Sequence, residues 1–413
     1  MHQQIRQEEH LGDRFSHRRR VAIIVTLGLL TALGPFTIDM YLPAFPSVKL
    51  DLSITDAQVQ VTLSATTLGF ALGQLIVGPL SDRLGRRWPL LVMSALHVVS
   101  SLLVAVAPTV EFLTVMRAFQ GIGAAGGAVV AMAMARDLFS GRRLIRMMSQ
   151  LALINGLAPI VAPILGSWLL GFTDWRGVFW VLMAYGLVIV ALVAVLIVET
   201  RPASERTVGG FDALRAAYGR VLGDRLFVGV WIVAAMAFGG LFSYVSSSSV
   251  LLQEGYGLSA RGFGMVFAIC SVGVFIGVQI GSRFAAVVGP QVILIIGTTT
   301  MVVAAAGLLL VHQVNPSLAV IVPFMFIYTT GFGSCMPSAQ VLALQGHRAD
   351  SGVAASLMGA GNMIVAACVG PIIGQFDVRS PAPMGTAMLV LAVASSLALW
   401  VIVRPRQVRV SLD

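Results

Sequence analysis

Twelve apolar runs, each close to twenty residues long, constrain this chain more than anything else in it. They fall near 21–42, 57–78, 88–107, 110–136, 147–171, 176–198, 226–248, 260–282, 288–312, 316–342, 351–374 and 384–403. A run of about 20 apolar residues spans the hydrocarbon of a bilayer as a helix. Inside that hydrocarbon the backbone N–H and C=O groups find no water, so each run must satisfy them internally. Composition agrees: 57% of the residues are hydrophobic and 11% charged, against about 25% charged in a soluble domain. The expected fold class is an all-α polytopic membrane protein with twelve transmembrane helices in two six-helix halves.

A net charge of +9 resembles a nucleic-acid footprint until it is placed along the chain. Of the 27 Arg and Lys residues, 22 lie in the N-terminal tail, the even-numbered connections and the C-terminal tail. The odd-numbered connections hold 4, namely Lys49, Arg176, Arg261 and Arg379, and Arg117 lies within a span. This asymmetry predicts both termini in the cytoplasm and excludes a nucleic-acid partner. His17-Arg18-Arg19-Arg20 before the first run mimics a signal peptide, but the run continues to Tyr41-Leu42-Pro43 without a small-residue cleavage site. It reads as a retained first helix. The hydrophilic stretch 199–225 divides the chain into an N-tail (1–20), a first bundle (21–198), a cytoplasmic linker, a second bundle (226–403) and a C-tail (404–413). Cys270, Cys335 and Cys368 stand apart in apolar runs, without metal or disulfide spacing.

Few residues in the spans carry chemistry. Asp39, in Thr37-Ile38-Asp39-Met40-Tyr41-Leu42-Pro43-Ala44-Phe45-Pro46, is the acid found in apolar sequence. Either it caps the helix break at the interface, or it faces an internal cavity and binds and releases a proton; Tyr41 and the two prolines favour a cavity-lining helix end. Arg117 needs a partner or a wet cavity, unless it snorkels to the interface. His97 reads as a buried neutral histidine with a local hydrogen bond rather than a relay. Gly69, Gly73 and Gly78 have the small-residue spacing of close helix packing. In the second half the polar residues available to a cavity are Tyr244, Ser246 to Ser249, Gln279, Tyr328, Gln340 and Asn362.

Three stretches carry a family resemblance. Gly78-Pro79-Leu80-Ser81-Asp82-Arg83-Leu84-Gly85-Arg86-Arg87 resembles the loop between the second and third helices of the major facilitator superfamily, with Ser81 in place of alanine. Arg117-Ala118-Phe119-Gln120-Gly121-Ile122-Gly123-Ala124-Ala125 resembles that superfamily's fourth-helix pattern. Asp39-Met40-Tyr41-Leu42-Pro43 followed by Pro46 resembles the first helix of the Bcr/CflA group of drug–proton antiporters. The resemblance implies the major facilitator fold, with Asp39 and Arg117 coupling to protons. Some relatives carry a second acid two turns earlier; Leu30-Thr31-Ala32 here has none, so Asp39 is expected to work alone on its helix. A cytoplasmic gate is implied at Gly78, Asp82, Arg83, Gly85, Arg86, Arg87, Arg136 and Asp137. Pro159, Pro163 and Gly166 form a partial match to the antiporter motif of the fifth helix. The substrate cavity is expected at Tyr41, Gln74, Gln120, Asn155, Tyr244, Tyr328, Gln340 and Asn362.

Enzymatic chemistry has no support: the chain lacks a metal-ligand cluster, a nucleophile elbow and a P-loop. Energy for transport then has to come from an ion gradient, and no cofactor beyond the proton gradient is expected. The leading expectation is a proton-coupled exporter of small amphipathic drugs, a multi-pass protein of the bacterial inner membrane acting as a monomer. A proton-coupled solute importer and a non-transporting membrane sensor on the same scaffold are the alternatives.

Overall fold

The computed structural model describes residues 15–202, 204, 206, 211–314, 316–347 and 350–407; the rest of the N-tail, part of the linker and the end of the C-tail lie outside it. Fourteen α-helices and no strand occur among the described residues. They are α1 (His17–Asp39), α2 (Phe45–Leu52), α3 (Asp56–Leu84), α4 (Arg87–Ala105), α5 (Val110–Leu138), α6 (Gly141–Leu169) and α7 (Trp175–Leu196), then α8 (Phe211–Leu222), α9 (Arg225–Val250), α10 (Ala260–Val288), α11 (Pro290–His312), α12 (Leu318–Leu344), α13 (Ser351–Ile373) and α14 (Pro381–Ala398). Twelve segments are long and apolar enough to cross a bilayer; α1 and α2 together form the first, and α8 is not among them. The chain is a multi-pass membrane protein. We call the end of the bundle at which α1 begins and the last span ends the terminal face and the opposite end the far face.

Several helices run further than hydropathy alone predicts. The turn expected from Gly78 onward shrinks to Gly85 and Arg86, because α3 continues through Pro79 to Leu84. Charged residues need water rather than a loop, and a helix that projects from the hydrocarbon gives them water while keeping its backbone bonded. Gly85 then reverses the chain with φ +92, and Gly289, between α10 and α11, does the same with φ +90. These left-handed conformations favour glycine. The Gly281–Gly289 stretch is thus a geometric echo of the Gly78–Gly85 one.

The first six spans pack mainly through α3 with α5, α4 with α5 and α7, and α1 with α5 and α6; the last six pack through α12 with α10 and α11, and α9 with α13 and α14. Between the two groups, α3 lies against α13 and α6 against α10. The small residues of α3 are used unequally. A Cβ on Gly73 would come within 2.8 Å of the Ile122 carbonyl, whereas one on Gly78 would meet nothing nearer than Val129, at 3.7 Å. Gly73 is a point of backbone contact and Gly78 has room.

Candidate functional site

The first span breaks where its prolines dictate. A proline disfavours helix in the residue before it and carries no N–H. α1 accordingly ends at Asp39, a 3-10 turn covers Leu42–Ala44, and α2 begins at Phe45 with Pro46 in its first turn, where a missing N–H costs nothing. Met40, Tyr41, Leu42, Ala44 and Phe45 are all buried at this break. Asp39 is 7% exposed, and its carboxylate makes no hydrogen bond or ion pair with any described residue. Across the interface it lies in electrostatic reach of Tyr244 on α9. The Tyr244 ring stacks on Phe267, with centroids 5.3 Å apart, and its hydroxyl sits beside the Cys270 thiol.

Arg117, wholly buried on α5, points elsewhere. Its Nη1 donates to the Thr37 carbonyl at 3.0 Å and to Gln120 Oε1 at 2.7 Å. Its guanidinium lies 4.6 Å from the centroid of the Tyr41 ring and 5.4 Å from that of Phe179. Around it the hydrogen bonds close a circuit. Gln120 Nε2 donates to Ser101 Oγ (2.8 Å), which donates to the His97 carbonyl (2.7 Å). His97 Nε2 meets Thr37 Oγ1 at 2.9 Å. The Thr37 hydroxyl spends its proton on the Leu33 carbonyl (2.6 Å), so it accepts from His97, which assigns the imidazole proton to Nε2. The circuit ties α1, α4 and α5 together. Nε and Nη2 of Arg117 remain buried without a hydrogen-bond partner. A desolvated cation with no anion costs several kcal/mol, and stacking on two rings returns about 0.5–2 kcal/mol each. The site therefore holds a buried acid and a buried base on neighbouring helices, with no ion pair between them.

A second polar patch lies on α3. Tyr41 donates to Thr62 Oγ1 at 3.0 Å, since the Thr62 hydroxyl is spent on the Val59 carbonyl. Nearby on the same helix, Gln60 and Ser64 are buried with their side-chain polar atoms unpaired. They face Gly370 of α13, where a Cβ would come 3.0 Å from Ser64 Oγ. Sequence reasoning misses this pair; the signal that could have found it is the i, i+4 spacing of two polar residues in an apolar run.

The other expected cavity residues divide. Gln74 and Asn362 each bury an unpaired side-chain oxygen, Gln74 against Gly359 of α13. Asn155 and Gln340 are exposed. Tyr328 does not face the first six spans: its hydroxyl donates to the Met388 carbonyl at 3.3 Å and packs on Gly240, inside the last six. A tyrosine in an apolar run reads the same whether its hydroxyl is spent on a neighbouring helix or left to a cavity. On α6, Pro163 cannot donate to the Pro159 carbonyl four residues earlier, and Ser271 of α10 donates there instead at 3.2 Å. Gly166 lets α6 reach the backbone of Met40, whose Cα would lie 3.1 Å from a Cβ at that position.

On the terminal face, three of the expected gate residues, Asp82, Arg86 and Asp137, form an ionic cluster. Arg86 Nε pairs with Asp137 at 2.9 Å and its Nη1 with Asp82 at 2.7 Å. The cluster has members that the motif did not supply. Glu199 accepts from the backbone N–H groups of Arg86 (2.7 Å) and Arg87 (3.3 Å), capping α4; Thr200 bonds Asp137 at 3.0 Å; Arg201 pairs with Asp82 at 2.5 Å. Arg87 donates to the Ala194 carbonyl at 2.7 Å. Arg83 and Arg136 are exposed. Two apolar grooves of about 270 Å³ each, one lined by Phe36, Met40, Trp168 and Tyr185 and the other by Ile280, Phe284, Ile296 and Thr330, include neither Asp39 nor Arg117.

Comparison with known proteins bears on what this arrangement does. A family model described as "Major Facilitator Superfamily" matches residues 27–374. Over 393 residues the chain is 37% identical to the Bacillus subtilis (strain 168) protein named "Uncharacterized MFS-type transporter YdgK", covering 94% of this chain and 97% of that one. It is 31% identical over 380 residues to the "Bicyclomycin resistance protein homolog" of Haemophilus influenzae (strain ATCC 51907 / DSM 11121 / KW20 / Rd), covering 91% and 95%. In three dimensions it is similar to a bacterial homologue of the human lysosomal transporter Spinster, solved inward-facing and unoccupied, with a TM-score of 0.73 at 15% identity and coverage of 95% and 98%. That last likeness concerns the fold alone.

Proposed function

The chain belongs to the Major Facilitator Superfamily, and from that premise we propose that it exports small amphipathic, antibiotic-like compounds in exchange for protons. One observation carries the reading: Asp39 is a buried carboxylate without a hydrogen-bond or ion-pair partner, at a helix break that faces the other six spans. A carboxylate so placed can take a proton or the polar group of a cargo molecule, and holding one excludes the other. That competition is the minimal coupling of an antiporter. Arg117 supplies a fixed positive potential from the far side of Tyr41 and keeps α1 in register through Thr37. The apolar surroundings of Asp39 and the name of the Haemophilus relative support an amphipathic cargo.

In this reading residues 21–198 and 226–403 rock as two halves about the site, joined by 199–225. The bias of basic residues supports a terminal face in the cytoplasm and a far face outside. The cluster of Asp82, Arg86, Asp137 and Glu199 braces the cytoplasmic ends of α3, α4 and α5 during the motion. The protein acts in the bacterial inner membrane as a monomer.

The test is a panel of antibiotics in an efflux-deficient bacterial host, with uptake measured with and without a protonophore. Resistance that depends on the gradient, and proton release on the substrate-loaded side when substrate is added to vesicles, are the expected results. Substrate accumulation driven inward by protons would replace export with import, and gradient-independent behaviour would remove proton coupling.

A further inference from the structure

The halves meet chiefly along two seams, α6 with α10 and α3 with α13, and the same chemical problem arises in both. A proline inside a helix leaves the carbonyl four residues earlier without its donor. In the first seam that carbonyl belongs to Pro159, freed by Pro163, and Ser271 crosses from α10 to meet it at 3.2 Å. In the second, Pro371 of α13 frees the carbonyl of Ala367, which stands one turn before Gly370 on the same face. Gln60 and Ser64 of α3 lie across from that face: a Cβ on Gly370 would come 3.0 Å from Ser64 Oγ and 3.7 Å from Gln60 Cβ. Gln60 is fully buried and Ser64 is 6% exposed. Yet Gln60 Nε2, Gln60 Oε1 and Ser64 Oγ have no hydrogen-bond partner among the described residues. Buried polar side chains are seldom left so. Thr62, which takes the Tyr41 hydroxyl, lies on the opposite face of α3, so the pair is not a spare part of the network around Arg117.

We propose that Gln60 and Ser64, facing Gly370 and the freed Ala367 carbonyl, form a cargo subsite that takes an uncharged amide or hydroxyl of the exported compound. The assignment rests on the export reading and deepens it, because it names the part of the cargo that is recognised. A primary amide offers two donors and an acceptor, and a serine hydroxyl offers one donor and accepts as well. The group that satisfies them together must itself both donate and accept, as a hydroxyl or a secondary amide does. It must also be neutral. The helix α13 carries no charged residue from Ser351 to Ile373. The nearest charge on α3, Asp56 one turn before Gln60, is already paired with Lys49. Gly370 supplies the space, since a side chain there would crowd the Ser64 hydroxyl. Recognition of the neutral part of the cargo is thereby kept apart from the competition with the proton at Asp39. The subsite carries a cost when empty, because a buried donor or acceptor without a partner bears its full desolvation penalty.

The experiment measures binding to the purified full chain in detergent with two probes. Chloramphenicol has an amide and hydroxyls and no net charge; tetraphenylphosphonium is a cation without a hydrogen-bonding group. Gln60→Leu should weaken chloramphenicol binding about tenfold and Ser64→Ala about threefold, the scale of losing such bonds. Tetraphenylphosphonium should not distinguish either variant from the original chain. With no probe present, the unfolding temperature of Gln60→Leu should stay level or rise by about 2 °C, because an apolar side chain of similar size replaces an unpaired buried amide. That second readout separates loss of a site from loss of the fold. A seam that holds structural water alone gives the opposite pattern: Gln60→Leu would unfold earlier and bind chloramphenicol as the original chain does, and the subsite would be overturned. Equal weakening of both probes, or an original chain that does not bind chloramphenicol, would overturn it too. Failure of the export reading shows separately. Gln60-dependent binding without gradient-driven efflux keeps the subsite and removes the exporter, whereas gradient-driven efflux that Gln60→Leu leaves unchanged does the reverse.

Discussion

Asp39 and Arg117 share a buried region of the same bundle and do not pair: the acid lies in electrostatic reach of Tyr244 on α9, while the base is held by Thr37, Gln120 and two aromatic faces. A salt bridge between them would neutralise both and leave nothing for a proton or a cargo to do. The carbonyl that Arg117 grips, that of Thr37, lies on the same helix as Asp39 and two residues before it, so Arg117 holds the backbone of α1 and not its terminal carboxylate.

Asp39→Asn keeps the shape of the side chain and removes its ability to carry a proton. Gradient-driven efflux should fall at least about tenfold, with the protein still present in the membrane at normal levels. Asp39→Glu should retain part of the activity. Initial efflux rates with and without a protonophore check both, and an Asp39→Asn variant still driven by the gradient would end the coupling role.

Arg117 separates function from stability. A lysine cannot hold the Thr37 carbonyl and Gln120 Oε1 together while stacking on Tyr41 and Phe179, so Arg117→Lys should lose about tenfold or more in transport. Arg117→Met removes a buried cation that has two unpaired nitrogens, and its thermal unfolding temperature in detergent should match or exceed that of the original chain. A large drop would show that the charge itself stabilises the fold.

Gly166→Ala and Gly78→Ala form a matched pair. The first drives a methyl into the backbone of Met40 and should cost about 1–3 kcal/mol. At Gly78 the nearest atom to the new methyl is 3.7 Å away, and the change should be near neutral or slightly favourable, as expected for alanine in a helix. Thermal unfolding of both variants in one detergent decides the comparison.

Glu199→Ala removes the acceptor for the backbone amides of Arg86 and Arg87, the residue before α4 and its first residue. Loss of a helix cap costs about 0.5–2 kcal/mol, so this variant should unfold earlier than Glu199→Gln, which keeps an acceptor oxygen. Equal unfolding temperatures would show that water replaces the carboxylate.

Acid should release the linker helix. Asp350 lies outside the spans, and the two hydrogen bonds from Arg220, 2.9 Å each, hold its carboxyl below the usual carboxylate range. A group with a depressed folded value contributes docking energy above its unfolded value, about 3.9, and loses it as the pH falls through the folded one. Protease nicking near α8 should therefore stay flat from neutral pH down to about 5 and rise below about 4. In Arg220→Gln it should already be raised at neutral pH. A profile that changes near neutrality would assign the docking to another group.

Much of the architecture was readable in one dimension because a bilayer punishes any unbonded backbone. Runs of apolar residues could only be helices, and the basic residues had to gather at their ends. The expectations that the structure changed were of two kinds. Helix ends moved outward at Leu84 and Leu138, since hydropathy reports where hydrocarbon stops and not where a helix does. Polar side chains such as Tyr328 went to partners on other helices, because composition cannot say which face of a helix turns inward.

The sequence by itself determined the number of spans, the break after Asp39 and the superfamily pattern at Gly78–Arg87 and Arg117–Ala125, all of which depend on neighbours along the chain. Tertiary structure decided which charges meet. Lys49 found Glu254, 205 residues away, and Arg86 found Asp137 and Glu199, while Asp39 and Arg117 were kept apart. Electrostatic and hydrogen-bond energies fall off over a few ångströms, so such partnerships exist only once helix packing has set the distances.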